Sequence, residues 1–253
     1  MTKTALITGA TSGIGKATAY KFAKNGINLV LCGRRKEHLN TIKNDLENST
    51  NIHTLCFDVR NKNETFDAVN SLPEKFKNID ILINNAGNAH GLDPINEGNI
   101  DDWDAMMDIN VKGLLYVSKA IIPQMTARKS GHIINIGSSA GKEVYPKGNV
   151  YCASKHAVLA ITEGMRIDLN SFGIKVSAVN PGAVETEFSE VRFKGDKKKA
   201  NDVYRGFDAL QAQDIADIIY FVVSRPSHVN IADLLVYPTA QANTTTLNRN
   251  LDN

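Results

Sequence analysis

The sequence predicts a single doubly wound α/β domain, and three observations predict it. Short apolar runs alternate with longer amphipathic stretches from one end of the chain to the other. Several of those runs are apolar on both faces, as strands buried on both sides of a parallel sheet must be. A glycine-rich turn, TGATSGIG at residues 8–15, follows the first run and opens the first amphipathic stretch. Each right-handed β–α–β crossover returns a helix to one face of the sheet, so repeating the unit covers both faces.

Residues 5–7, 29–32, 53–58, 81–83, 132–136, 175–179 and 234–236 read as the seven strands. Between them, 16–24, 37–46, 63–76, 100–125, 150–171 and 214–223 carry helical periodicity. No Pro- or Ser-rich linker and no internal repeat interrupts the alternation, so residues 1–253 are expected to form one domain. The least regular stretch, 181–210, has mixed charge and weak periodicity and is expected to be a loop that closes over substrate. Residues 241–253, polar and rich in Asn, read either as a frayed tail or as a segment ordered by a neighbouring subunit.

With 253 residues, 42% hydrophobic and 22% charged, the chain can bury a large core, and its net charge of +2 gives no electrostatic footprint for nucleic acid. The basic run Lys197, Lys198, Lys199 reads as a solvated loop. Cys32, Cys56 and Cys152 are odd in number, lack C-x-x-C spacing and sit in apolar or helical stretches, which suits reduced thiols. No apolar leader opens the sequence and no run of apolar residues is long enough to span a bilayer, so a cytoplasmic protein without a membrane partner is expected. The six histidines form neither an H-x-x-x-H pattern nor a His–Cys cluster, so no metal is expected.

In the glycine turn, Gly9, Gly13 and Gly15 allow tight backbone, and Thr11, Ser12 and Ile14 complete a cradle that can face a pyrophosphate at a helix N-terminus. The overlapping stretch fails as an ATP-binding P-loop: Ala10 takes the first glycine position and Ala17 replaces the Mg²⁺-binding hydroxyl. In dinucleotide folds an acidic residue ends the second strand and binds ribose hydroxyls. Here Gly33 stands in that place, followed by Arg34 and Arg35, whose guanidinium forks suit a 2′-phosphate. NADP is therefore expected over NAD, the alternative being two solvated arginines at a helix start. Asp58 and Val59, ending the third strand, are placed to meet the adenine, although an Asp there also serves turns and caps.

YCASK, residues 151–155, puts a phenol and an ammonium on one helical face. YKFAK at 20–24 repeats the spacing, so the pattern alone decides nothing. TGATSGIG, NNAG at 84–87, Asn110 in MMDINVKG, Ser138 in IGSSAG, YCASK and NPGAVETEF at 180–188 together resemble the short-chain dehydrogenase/reductase family, in order and spacing, over nearly the whole chain. The resemblance implies a Rossmann-type sheet and a catalytic set of Asn110, Ser138, Tyr151 and Lys155. It implies that Ser138 holds the substrate oxygen against Tyr151 and that Asn110 positions a water linking Lys155 to solvent. Asn85, Ala86 and Gly87 would lie near the nicotinamide ribose. Pro181, Gly182, Val184 and Thr186 would surround the nicotinamide, with Thr186 bonding its carboxamide or capping a helix with Glu187 in the first turn.

Hydride transfer at a carbinol carbon needs a group that takes or gives the hydroxyl proton, and a free Tyr, with pKa about 10, is too weak a base near neutrality. The Lys155 ammonium and oxidised nicotinamide are expected to lower the Tyr151 pKa, and a shift of ~3 units corresponds to roughly 4 kcal/mol. Tyr20 and Lys24 have no such partners and read as packing and a solvated charge.

EFSEVRFKGD at 187–196 and RPSHVNIADLLVYPTAQA at 225–242 extend the resemblance to the branch of NADP-dependent 3-hydroxy acid dehydrogenases that oxidise L-allo-threonine, serine and related acids. The free carboxylate of such a substrate needs a cation or several oriented donors. Arg192 is the first candidate and Lys147 the second, with solvated loop charges as the alternative. A carbonyl or 3-oxoacyl-thioester reductase of the same fold and a non-catalytic NADP-binding regulator stay open. By resemblance the assembly is a homotetramer.

Overall fold

The structure, a computed structural model, describes residues 2–249. The chain runs β1 (Thr4–Thr8), α1 (Gly13–Lys24), β2 (Asn28–Gly33), α2 (Lys36–Leu46), β3 (Ile52–Cys56), α3 (Lys62–Asn70), β4 (Ile81–Asn84), α4 (Ile100–Met107), α5 (Leu114–Arg128), β5 (Gly131–Ile136), α6 (Asn149–Leu169) and β6 (Ile174–Pro181). Past β6 come β7 (Val184–Glu185), α7 (Phe188–Arg192), α8 (Lys197–Asp202), β8 (Leu210–Gln211), α9 (Ala212–Val223) and β9 (Asp233–Val236).

Seven strands form one sheet in the order β3–β2–β1–β4–β5–β6–β9, every pairing parallel. Because the sheet is parallel, all strand C-termini share one edge. The order reverses between β1 and β4, which opens a crevice at that edge. Phe22 of α1, Leu39 and Ile42 of α2 and Ile219 of α9 pack on one face of the sheet. Val69 of α3, Val117 and Ile121 of α5 and Leu169 of α6 pack on the other. The continuous apolar runs are thus explained by burial on both faces.

The expected helix over 100–125 is broken. After α4, residues Asp108–Gly113 form a π-helical turn before α5 begins. Single π turns inside helices recur at functional sites, and this one carries Asn110 into the interior, where it is 2% exposed. The expected helix over 63–76 ends early as well, because Pro73 disfavours helical backbone at the residue before it; only a 3₁₀ turn, Glu74–Phe76, follows. The stretch 181–210 is more regular than its composition suggests. It holds β7, α7 and α8, and β7 pairs with β8. Residues 241–249 fold back on their own chain, with Asn248 N–H donating to Ala240 O (2.8 Å) and Gln241 bridging Leu247, so no neighbouring subunit is needed to order them. Residues 250–253 of the expected tail lie outside the described residues. Cys56 is exposed rather than embedded, being the last residue of a strand at the sheet edge. No helix among the described residues is long and apolar enough to cross a membrane.

Candidate active site

Where β1 ends, Gly9 (φ 63°) and Gly13 (φ 50°) take the left-handed backbone that favours glycine. A Cβ on Gly15 would lie 2.3 Å from the Gly9 carbonyl oxygen, so Gly15 lets α1 pack on the turn and does not itself face the crevice. Gly9, Thr11, Ser12, Gly13 and Ile14 line a cavity of about 570 Å³ at the C-terminal edge of the sheet. That volume lies within the roughly 300–1,000 Å³ of small-molecule and cofactor sites. Asn85 braces the turn from β4, its Nδ2 donating to Thr8 O (2.9 Å) and Gly9 O (3.2 Å). Ala86 and Gly87 continue the wall. The bare backbone of the turn, at the start of α1, fits a dinucleotide pyrophosphate.

Arg34 and Arg35, from the end of β2, line the same cavity, together with Asp58 and Val59. Arg35 donates from Nε (3.2 Å) and Nη2 (3.0 Å) to Thr11 Oγ1, and its Nη1 meets Glu187 Oε2 at 2.9 Å across the cavity mouth. Arg34 lies 3.6 Å from Asp58 Oδ2. Burial pushes the Asp58 carboxyl up, but hydrogen bonds and charge from Arg60, with the Arg34 charge, outweigh it and leave it below its ordinary value. An ionised, cation-bound Asp58 is suited to an adenosine edge rather than to a phosphate.

At the far end of the cavity, Ser138 ends the β5 loop and Tyr151 and Lys155 reach in from α6. The Ser138 hydroxyl accepts from Ala140 N–H (3.1 Å) and lies beside Tyr151, whose pKa it draws down. Lys155 Nζ donates to Ile136 O at 2.9 Å. Asn110 takes Asn88 from both sides, accepting from its N–H and donating to its carbonyl (2.9 Å each), and donates to Ser154 Oγ (3.0 Å). It therefore pins the loop after β4. A Cβ on Gly87 would touch Asn110 Oδ1 at 2.9 Å and Lys155 Nζ at 3.6 Å, so the missing side chain keeps these two groups close.

The protein's own groups act on Tyr151 in both directions. Burial first, and then the neighbouring Tyr145 phenol, push Tyr151 above its ordinary value; Arg192 and Ser138 pull the other way. Lys155 is itself pushed down to about 8 by burial and sits 6.0 Å from the Tyr151 ring centroid. The Arg192 guanidinium carbon is nearer, at 4.9 Å. An i, i+4 pair shares a helical face, but here the lysine extends past the ring to a backbone carbonyl.

A sequence profile described as short chain dehydrogenase matches residues 3–197. The chain belongs to the short-chain dehydrogenase family. It is 42% identical over 238 residues to the NADP-dependent 3-hydroxy acid dehydrogenase YdfG of Salmonella typhi, covering 94% of this chain and 95% of the relative. Sulfoacetaldehyde reductase 2 of Chromohalobacter salexigens is 41% identical over 243 residues, with 96% of each chain covered. Among solved structures, the closed form of serine dehydrogenase complexed with NADP⁺ superposes with a TM-score of 0.92 at 41% identity, covering 97% of this chain and 98% of that one.

In this short-chain dehydrogenase, Pro181, Gly182, Val184 and Thr186 form the wall facing the glycine turn. The Thr186 hydroxyl accepts from Phe188 N–H (3.2 Å) at the entry to α7, and a Cβ on Gly13 would rest 3.4 Å from the Thr186 Cβ and methyl. Arg192, at the end of α7, lines the cavity, donates from Nη2 to the Tyr145 hydroxyl (2.6 Å) and keeps a buried Nε without a partner. Lys147 does not reach the cavity: exposed, with φ at 65°, it borders only a smaller crevice alongside. Three contributors escaped the sequence reading. Arg60 sits two residues past Asp58, a spacing that fits the bidentate hold but marks nothing by itself. Tyr145 carries no motif. Gln241, whose Oε1 accepts from Ala183 N–H (2.9 Å), lies in the stretch that reads as a tail.

Proposed function

We propose that this NADP-dependent oxidoreductase of CH–OH groups acts on the 3-hydroxyl of a small hydroxy acid, with L-allo-threonine, serine and 3-hydroxypropionate as its substrate type. The observation that carries the reading is Arg192, a guanidinium 4.9 Å from the Tyr151 ring centroid with a buried, unpartnered Nε. An acid group entering a closed site loses its water and requires a charge-assisted donor there. A thioester or simple ketone has no acid group and would leave that Nε unused.

In this reading Tyr151 takes the hydroxyl proton on oxidation and returns it on reduction, and Ser138 holds the reacting oxygen against it. Bound in the cavity, NADP supplies or accepts the hydride. Arg35 and Arg34 hold its 2′-phosphate, Arg35 leaving or sharing Glu187. The glycine turn takes the pyrophosphate, and Thr186 and the 181–184 wall take the nicotinamide end. Asn110 and Lys155 keep the β4 loop and Tyr151 in place, and the stretch 181–210 closes over substrate. Arg192 holds the carboxylate. A sulfonate in its place is the second reading, favoured by the likeness to a sulfoacetaldehyde reductase.

Arg192→Leu should raise KM for serine or 3-hydroxypropionate by roughly 10–100-fold, the loss of one charged hydrogen bond, and raise KM for an uncharged ketone far less. Parallel rises on both substrates would overturn the carboxylate assignment, as would a sulfonated aldehyde outcompeting every hydroxy acid. We further propose a cytoplasmic homotetramer. The free thiols support that location, and Leu115 of α5 and Ile167 of α6, 39% and 70% exposed, support pairing on the long helices. Light scattering that gives a monomer mass would refute the assembly.

A further inference from the structure

We infer that Arg192 is a positioning residue for the general base: its guanidinium, delivered by α7, favours the ionised form of Tyr151, so docking of α7 and activation of the base are one event. The inference rests on the hydride-transfer reading of the site and adds to the carboxylate role a second task for the same cation.

The geometry carries it. The Arg192 guanidinium carbon lies 4.9 Å from the Tyr151 ring centroid, 5.3 Å from that of Phe188 and 5.8 Å from that of Tyr145. A cation within about 6 Å of a phenol ring is drawn to its electron-rich face, and the attraction grows when the ring becomes a phenolate. The groups facing Tyr151 come from four directions. Arg192 and Phe188 come from α7, Tyr145 from the loop before α6, Cys152 and Lys155 from α6 itself, and Ser138 from the end of β5. His90, on the loop after β4, borders the adjoining crevice with Asp102, whose carboxylate is taken by Lys194 at 2.9 Å. Of the two cations near the ring, Lys155 is turned to Ile136 O and is the more distant. Arg192 is also the one whose place depends on how a short helix is seated. It is held from outside its helix by Gly91 N–H donating to its carbonyl (3.0 Å), by the Tyr145 hydroxyl and by the Lys194–Asp102 clasp. When α7 undocks, the base loses its cation and returns to a proton affinity that burial alone dictates.

The test is an ultraviolet titration of Tyr151 in the NADP⁺ complex by rapid pH jumps, taking each protein minus its own Tyr151→Phe partner so that one phenol is read. Arg192→Gln should move the midpoint up by about 1 pH unit or more, the size of a lost neighbouring charge, and Arg192→Lys should move it less. Lys194→Met, which loosens α7 and leaves Arg192 intact, should move it in the same direction by a smaller step. The alkaline rise of kcat for oxidation should follow each midpoint. Midpoints unmoved in Arg192→Gln and Lys194→Met would overturn the inference, as would Arg192→Lys moving as far as Arg192→Gln. A shift in Arg192→Gln with none in Lys194→Met would overturn the link to docking. Because the titration contains no substrate, a moved midpoint with no preference for acids sinks the substrate reading alone. Acid preference with an unmoved midpoint sinks this inference alone.

Discussion

Two Tyr–Lys pairs with the same spacing sit on two helices of one protein, and only their surroundings separate them. Tyr20 and Lys24 end α1 on the outer side of the sheet, away from the cavity. The Tyr20 hydroxyl donates to Asp45 of α2, Lys24 is exposed, and the cation over the Tyr20 ring is Lys16, at 5.8 Å. Partial burial, the hydrogen bond and the Asp45 charge push the Tyr20 phenol up to about 12. Tyr151 is 9% exposed and Lys155 7%, with Ser138 and Arg192 beside the phenol and no carboxylate on it. Burial raises both phenols. At Tyr20 the carboxylate neighbour adds to that rise, whereas at Tyr151 a hydroxyl and a guanidinium oppose it. An i, i+4 spacing brings two side chains to one face, and what they do there is set by the third group.

The comparison can be broken most directly at the two phenols. Tyr151→Phe should cut kcat by about 10²–10⁴-fold with NADPH affinity retained, since one hydroxyl goes and the ring stays. Tyr20→Phe should leave kcat within experimental error. Comparable steady-state activity in both would make YCASK an accident of spacing.

The lysines give the next largest contrast. Lys155→Met should lower kcat by ~10²-fold and weaken cofactor binding, because it removes a buried group that bonds Ile136 O. Lys24→Met should change neither, and equal losses measured on the two would erase the distinction.

α1 has a functional end too, at its glycine turn, and the cofactor tests it. Arg34→Asp with Arg35→Ser should reduce kcat/KM with NADP⁺ by roughly 10–100-fold relative to NAD⁺, as charge-assisted contacts to a 2′-phosphate are replaced by repulsion. Equal reductions with both cofactors would restrict the arginines to their bonds with Thr11, Glu187 and Asp58.

The smallest effect sharpens the Tyr20 side. Asp45→Asn should bring the Tyr20 titration midpoint down from about 12 toward its ordinary value, without changing turnover. A folded-state pKa raised above the unfolded one near 10 contributes stability that is whole below pH ~10 and lost as pH rises through the folded value. The stability advantage of wild type over Asp45→Asn should therefore fade between pH ~10 and about 12, followed by urea unfolding. A constant gap across that window would mean that the Tyr20–Asp45 bond carries no proton linkage.

The sequence by itself determined the parallel sheet, since short runs apolar on both faces, alternating with longer amphipathic stretches, suit strands covered twice, and it determined the cradle, since Gly9 and Gly13 sit where the backbone turns left-handed. Ser138, Tyr151 and Lys155 were singled out by the resemblance of their motifs to the family, whereas helical periodicity by itself put Tyr20 and Lys24 on an equal footing with Tyr151 and Lys155. Only the tertiary structure decided which residues act on them. Tyr145 meets Arg192 across 47 positions of chain and Glu187 meets Arg35 across 152, separations that no local pattern encodes. The π turn at Asp108–Gly113 appears where helical periodicity reads straight through, because Asn110 is drawn inward by bonds to Asn88 and Ser154. Lys155 and Arg192 differ for the same reason. Burial lowers the proton affinity of the lysine and turns it to a carbonyl, and folding of the stretch 181–210 sets the arginine nearer the phenol.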